Sequence, residues 1–502
     1  MENNNRGTWG SNFGFLMATI GSAVGLGNIW GFPYKMGRGG GFKFLLIYIA
    51  LSVAVGVVMI ATELAIGRKT GKGVVGAYND ISKRFKWVGW LGLISPFIIV
   101  CFYSVLGAYC VQYLCLNLAE LSFDLHFPDS AALFENLLTT PLGGCIFTFL
   151  FIFLTYIVVI KGISGGIEKF NKIGMPALFV MLIIIIIRSL TLDSAIEGIK
   201  YMFVPGYAVE AGYIAEESSF ISVLSSAGSQ MFLSLSLAMG ILITYGSYMS
   251  KKQNLVKNSF AIICADTIVA VSSGIAVIPA AVATGIRAIN SGATVIEDGI
   301  ERAMTVADIK LGGPNLLFVT LQDVFASMGK IGPLFGVVFY TLVIIAALSS
   351  TISLVEVLTT HFMDKHQGDN REAKRKKVTT FSCLAIIVLA TVVAADGLGA
   401  NNVWLPFKHL YSDGNIPLLS SWLDFLDCWT EGIAMPLGAV LMALMVGYEL
   451  KPRVIIDELE ETEPMSKTLK LLYSISIRFI VPVVMTFVLL GQISSFFGLG
   501  WF

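Results

Sequence analysis

Charge is scarce in this 502-residue sequence. Only 14% of residues are Asp, Glu, Lys or Arg, where a soluble domain carries about 25%. The 34 Lys and Arg are balanced by 34 Asp and Glu, so the formal net charge is zero. That balance excludes a basic nucleic-acid binder, and the shortage of charge excludes a disordered chain or a string of ordinary soluble domains. Histidine is also rare: four residues, none at metal-ligand spacing. The seven cysteines (Cys101, Cys110, Cys115, Cys145, Cys264, Cys383, Cys428) form no CxxC pair and lie mostly inside apolar runs, which reads as buried thiols acting as small hydrophobes. No phosphate loop, nucleophile–base pair or redox motif is present, so neither ATP nor covalent chemistry is implied and no enzyme is expected. The first apolar block is long, interrupted and lacks a small-residue cleavage site, so no cleavable signal peptide is expected.

Apolar residues are abundant instead: 55% of the chain, with a mean hydropathy of +0.77. They come in blocks of about 20, the length that crosses a bilayer as a helix. The expectation is an all-α polytopic membrane protein with eleven spans near 12–37, 41–67, 88–120, 142–160, 167–188, 220–248, 258–284, 331–362, 377–395, 421–447 and 470–496. The segment 285–330 is too polar to span and, with its amphipathic stretch Leu316–Met328, reads as a helical external loop or lid. Most Lys and Arg fall in loops on the face that holds the N-terminus, including Arg68, Lys69, Lys161, Lys251, Arg371, Lys374 and Lys451. The loop bias therefore predicts a cytoplasmic N-terminus, and an odd number of spans predicts an external C-terminus.

Two spans are interrupted by small and polar residues. The first carries Gly21-Ser22-Ala23-Val24-Gly25-Leu26-Gly27-Asn28, followed by Pro33. Three glycines at mid-membrane weaken helix and free backbone carbonyls, which hydrocarbon tolerates only where they line a cavity. Close packing through Gly21 and Gly25 is the alternative; Asn28 and Pro33 favour a broken helix. The second, in span six, reads Ser234-Leu235-Ser236-Leu237-Ala238-Met239-Gly240. On an intact helix Ser234 and Ser236 face different sides; an unwound one can turn both toward one cavity. Ser side chains bonding back to their own helix are the plainer reading of that stretch alone.

The placement of these interruptions adds to their meaning. Spans one and six each open a set of five, as expected of a 5+5 inverted repeat with unwound first helices: residues 1–188 as one half, 220–447 as the other, and 470–496 as an additional helix. Elsewhere, Asp266 in span seven is an intramembrane carboxylate, costly and by default a functional candidate, with a structural hydrogen-bonded acid as the other reading. Span eight carries Ser349-Ser350-Thr351. Carbonyls, hydroxyls, one amide and one carboxylate are hard oxygen ligands that suit an alkali cation, and the N-termini of broken helices suit an anionic group such as an amino acid carboxylate.

At these residues the sequence resembles the neurotransmitter:sodium symporter family, in particular its bacterial amino acid transporters of leucine-transporter-like fold. The stretch from Trp9 through Gly21–Tyr34, then Gly162-Ile163-Ser164-Gly165-Gly166-Ile167-Glu168-Lys169, Ser234–Leu237 and Thr244-Tyr245-Gly246-Ser247-Tyr248 carry the resemblance, which extends over nearly the whole chain. It implies two sodium ions beside one substrate. The first ion would be held by the Ala23 carbonyl, Asn28, Ser234 and Asp266 with the substrate carboxylate. The second would be held by carbonyls of Gly21, Val24 and Ala346 and hydroxyls of Ser349 and Ser350. The substrate would lie against Ala23, Leu26, Gly27 and Ser234, with Tyr103 on its carboxylate. Its side chain would meet Ile99, Phe232, Leu233, Ser236, Met239, Ser350 and Leu354.

The resemblance also implies substrate class and gates. Monoamine-transporting relatives carry Asp where this chain has Gly25, so glycine favours an amino acid; Leu233 replaces a common aromatic, and the pocket is expected to be hydrophobic. Asp266 stands where chloride-dependent relatives place Asn, so its fixed charge implies that no chloride is required. Arg6 and Trp9 with Asp364 resemble the inner gate, supported by Tyr248 and Glu356. Asp427 matches the acidic half of the outer gate, whose usual Arg is replaced by Gly31; Lys35 and Lys408 are the candidate substitutes. Gly166 and Pro176 frame the start of span five, where unwinding would admit water to the second sodium site and helix packing is the plainer reading. The expectation is a sodium-coupled importer of neutral L-amino acids in the plasma membrane of a bacterium, with the lipid bilayer, sodium and the amino acid as its partners and no nucleic acid. An amino-acid-gated sensor or ion channel on the same scaffold, or a non-transporting accessory protein, is the alternative.

Overall fold

In hydrocarbon every backbone N–H and C=O has to be satisfied within the protein, and a helix does so within one segment. The computed structural model follows that rule. It describes residues 7–123, 129–297, 300–309, 311, 315–365, 370–403, 405 and 420–501. The first apolar block forms two helices, α1 (Asn12–Ala23) and α2 (Gly27–Arg38), bent by 47° at the break. Then follow α3 (Phe42–Thr70), α4 (Val88–Phe123), α5 (Pro141–Val159) and α6 (Ile163–Leu190). The 220–248 block is divided into α7 (Phe220–Ser234) and α8 (Ile241–Gly246). The other membrane-length helices are α9 (Leu255–Asn290), α10 (Gly329–Asp364), α11 (Arg371–Asp396), α12 (Trp422–Glu449) and α13 (Lys467–Phe497). Among the described residues nine helices are long and apolar enough to cross a membrane, or ten with α1 and α2 as one span.

Which way each helix faces follows from its residue pattern. On α11, Phe381, Leu384 and Val388 are exposed while Cys383, Ile386 and Ala390 are buried. On α13, Phe479, Val483 and Phe487 are exposed while Ile477, Val481 and Met485 are buried. Large apolar side chains outside at helical spacing form a lipid-facing stripe. The inside is where polar groups collect: Asn28, Glu63, Gln230, Ser234, Asp266, Ser349 and Glu356 are all 0% exposed. Close helix approach depends on glycine at a few points. A Cβ on Gly107 of α4 would strike the Phe151 ring of α5, and one on Gly67 of α3 would strike the Ile243 carbonyl of α8.

Two expectations need correction. The segment after α9 is not wholly helical: a two-stranded antiparallel hairpin, Thr294–Glu297 with Ile300–Ala303, precedes the short helix Leu316–Ala326. Arg302 clamps the loop through two hydrogen bonds to Asp308 at 2.7 and 2.8 Å, holding that carboxyl below the usual carboxylate range. The β-branched residues Thr294, Val295, Ile296 and Ile300 favour strand over helix there. Among the cysteines, Cys101, Cys110, Cys383 and Cys428 are buried, but Cys115 and Cys264 are exposed and Cys145 is half-buried. A thiol is apolar enough to sit on a helix surface that faces lipid.

Candidate functional site

α1 stops where the glycines begin. Val24 leaves helical geometry (φ −80°, ψ 92°), and the chain resumes through a wide turn, Gly27–Gly31, before Phe32. α7 stops at Ser234, and the linker to α8 carries Ser236, Ala238 and Gly240 at φ 54°, 57° and 70°. The two breaks face each other. Ser22 and Ser236 hydroxyl oxygens are 3.4 Å apart, and the Ser236 hydroxyl donates to the Ser22 carbonyl at 3.1 Å.

Between them is a small cavity of about 20 Å³ lined by Ser22, Ala23, Gly25, Gly27, Ile99, Tyr103, Leu233, Ser236, Met239, Ile241, Ser350 and Leu354. Most of the residues expected at the substrate are therefore brought to one place: Ala23, Gly27, Ile99, Tyr103, Leu233, Ser236, Met239, Ser350 and Leu354. Leu26, Phe232 and Ser234 do not line it. Leu26 turns its backbone N–H to the Tyr103 hydroxyl at 2.6 Å, Phe232 is wholly buried, and Ser234 points to Asp266. Ser22 and Ile241 line it without having been singled out, Ser22 because a single Ser inside a glycine run carries no directional signal in sequence. Gly25 belongs here for want of space: a Cβ on it would collide with the hydroxyls of Ser350 and Tyr103.

Of the residues expected around a first cation, Asn28 and Ser234 converge on Asp266. Its carboxylate accepts from Asn28 Nδ2 at 2.7 Å, Ser234 Oγ at 2.8 Å and the Tyr48 hydroxyl at 3.0 Å. Tyr48, from α3, was not expected; an aromatic inside an apolar run is indistinguishable from core in sequence. Three donors offset the cost of burying the carboxylate, and the Asn28 Oδ1 is left facing the Gly25 N–H at 3.3 Å. Around the expected second cation, the hydroxyls of Ser349 and Ser350 donate to the carbonyls of Ala346 and Ser22, at 2.8 and 3.2 Å. Their hydrogens are directed into protein, so lone pairs remain; Gly21 and Val24 at the first break are buried, as are Ala346 and Ser349 on α10. Oxygen-only sets of this kind suit a hard monovalent ion. Among the described residues no cluster of His, Cys, Asp and Glu could hold a metal ion.

At the end of the molecule that holds the N-terminus, Trp9 Nε1 donates to the Tyr245 carbonyl at 3.1 Å. Asp364 accepts from the Gly73 N–H at 2.7 Å. Arg6 lies outside the described residues. Tyr248 donates to Glu356 at 3.0 Å, and Glu356 forms an ion pair with Arg375 of α11. Arg375 looked like one of several loop cations in sequence; only the fold shows that it is turned inward, as Arg68 is toward Glu458. At the other end Lys35 bonds Ser229 at 3.0 Å and pairs with Glu431, one helical turn beyond Asp427. Lys35 is itself one turn beyond Gly31, so the pair is displaced by one turn on both helices. Gln230 fills the side of Gly31, its Oε1 3.0 Å from where a Cβ would stand. Lys408 lies outside the described residues. A further buried acid, Glu63 of α3, accepts the Ala238 N–H in the second break at 2.7 Å.

Comparison with known proteins gives this arrangement a family. The model for the sodium:neurotransmitter symporter family matches residues 6–127 and 141–501. The uncharacterized sodium-dependent transporter YhdH of Bacillus subtilis is 30% identical over 487 residues, covering 97% of each chain. An uncharacterized sodium-dependent transporter of Haemophilus influenzae is 30% identical over 505 residues, 98% of this chain and 99% of its own. A crystal structure of MhsT in complex with L-phenylalanine is 32% identical and superposes with a TM-score of 0.80, covering 97% of this chain and 100% of that one. With matches that run from one end to the other, the chain belongs to the sodium:neurotransmitter symporter family, whose members are sodium-coupled membrane transporters and not enzymes.

Proposed function

We propose that this chain is a sodium-coupled symporter that imports neutral, hydrophobic L-amino acids by alternating access and needs no chloride. The observation that carries the reading is the meeting of two helix breaks at a cavity flanked by Asp266 and by the Ser349–Ser350 hydroxyls. The similar MhsT structure contains L-phenylalanine, which favours an amino acid ligand here as well. In this reading there are eleven spans in a 5+5 inverted repeat, α1–α2 and α7–α8 being the discontinuous first and sixth, with the N-terminus cytoplasmic.

The roles follow from the chemistry. Ala23, Asn28, Ser234 and Asp266 hold one sodium ion, and Gly21, Val24, Ala346, Ser349 and Ser350 the other. Tyr103, its hydroxyl accepting from Leu26, keeps its own hydrogen for the substrate carboxylate. The ions favour the outward-open form, substrate closes the outside, and release of Trp9, Asp364 and their partners opens the inside. A ligand shifts such an equilibrium only by its difference in affinity for the two states. The buried charge of Asp266 does the work that a chloride does elsewhere.

Proteoliposomes with an inward sodium gradient should concentrate labelled amino acid above equilibrium. A channel or sensor would at most equilibrate it, and absence of accumulation for every neutral amino acid defeats the symporter reading. Replacing chloride by gluconate at constant sodium should leave uptake unchanged; collapse of uptake would remove Asp266 from its charge-balancing role.

A further inference from the structure

The cavity between the helix breaks has more hydroxyls than an apolar substrate requires. Ser22, Ser236 and Ser350 line it, and Ser353 lies behind Ser22 at 2.8 Å. A serine hydroxyl has one hydrogen to give and two lone pairs that can receive. The Ser353 hydrogen goes to the Ser350 carbonyl at 2.7 Å. Ser236 and Ser350 both give theirs to the Ser22 carbonyl, at 3.1 and 3.2 Å. With Ser353 already committed, its contact with Ser22 is made by the Ser22 hydroxyl donating. All four hydrogens are thus spent inside the protein, and none remains for the 3.4 Å gap between Ser22 and Ser236. What these serines offer the cavity is lone pairs alone.

We propose that this acceptor-only set of serines, set apart from the Tyr103 hydroxyl that serves the carboxylate, makes the pocket prefer neutral L-amino acids whose side chain carries a hydrogen-bond donor over their apolar isosteres, with Ser22 as the specificity-determining residue. The inference rests on the reading of the cavity as the amino acid site. Ser22 is the centre of the set, because its carbonyl holds Ser236 and Ser350 while its hydroxyl holds Ser353. Ile99, Leu233, Met239 and Leu354 cover the body of the side chain, so a neutral, compact donor such as a hydroxyl fits where an ammonium would be left unpaired. Each wall hydroxyl already has a partner, so an apolar ligand strands no buried donor. The discrimination is therefore that of one added hydrogen bond, roughly tenfold, and not the 10⁴-fold of a site built wholly on polar groups.

Equilibrium binding to the full-length purified protein in saturating sodium tests this with isosteric pairs: L-threonine against L-valine, and L-serine against L-alanine. Threonine should bind roughly tenfold more tightly than valine, and serine more tightly than alanine. Ser22→Ala keeps the carbonyl that holds Ser236 and Ser350 but removes the Ser22 acceptor, so it should lower the threonine-to-valine ratio severalfold, and Ser22→Cys, which accepts poorly, should do the same. Sodium-dependent thermal protection reports that each variant is folded. Equal affinities in the unaltered protein, or a preserved ratio in both folded variants, overturn the inference alone. Failure of every amino acid to bind would overturn the symporter reading together with it.

Discussion

The two helix breaks reach the same cavity by different physical routes. In the first, the residues that matter are glycines used for closeness: no residue between Gly21 and Gly31 has a positive φ, but Gly25 leaves room that the hydroxyls of Ser350 and Tyr103 occupy. In the second, two residues with side chains, Ser236 and Ala238, are held in the left-handed region, which costs an L-residue about 1–2 kcal/mol. Fixed hydrogen bonds offset that cost: Ser236 to the Ser22 carbonyl and the Ala238 N–H to Glu63. One break is permitted by missing atoms, the other is imposed by partners on other helices.

That contrast makes opposite substitutions informative. Gly25→Ala should have the largest effect, because its methyl enters space already taken; overpacking of about 3 kcal/mol corresponds to roughly a hundredfold loss in substrate affinity. Wild-type affinity in a binding titration would show that closeness is not what the first break requires. Next is Glu63→Ala, which leaves the half-buried Ala238 N–H without its acceptor at a cost of about 1 kcal/mol. It should lower the thermal midpoint and uptake, while Glu63→Gln, whose amide oxygen still accepts, should recover most of both; equal damage by the two would point to the charge and not the bond. The smallest effect is expected of Ala238→Gly, since glycine takes a positive φ freely and its entropy cost offsets only part of the relief. A gain of about 0.5 kcal/mol, seen as a small rise in the midpoint, is expected. A fall would mean that the second break holds no strain.

The same contrast explains what could be read beforehand. The first break was legible because glycine is conspicuous in a run of apolar residues, and Asp266 because a carboxylate there is conspicuous too. The second was harder, since Ser236 and Ala238 are ordinary residues and the force that bends them comes from Glu63, 175 positions away. The outer ion pair was legible only in part. Gly31 plainly lacks a charge, and Lys35 was one candidate to replace it. Its partner is Glu431 in place of the expected Asp427, a difference of one turn between acids on the same helix that only the approach of α2 to α12 resolves. Ser22, Tyr48 and Arg375 were missed for a common reason: serine, tyrosine and loop arginine acquire meaning from what they face.

By itself the sequence determined the class of molecule, the apolar blocks and the places where those blocks carry polar residues. These properties are local, because transfer of a residue between lipid and a polar interior depends on its own chemistry and that of its helical neighbours. Tertiary structure decided which hydroxyls share a cavity, which carbonyl takes which hydrogen and which of two acids Lys35 meets. Those outcomes depend on a few ångströms of approach between helices far apart in the chain, and hydrogen bonds distinguish such distances while residue patterns do not.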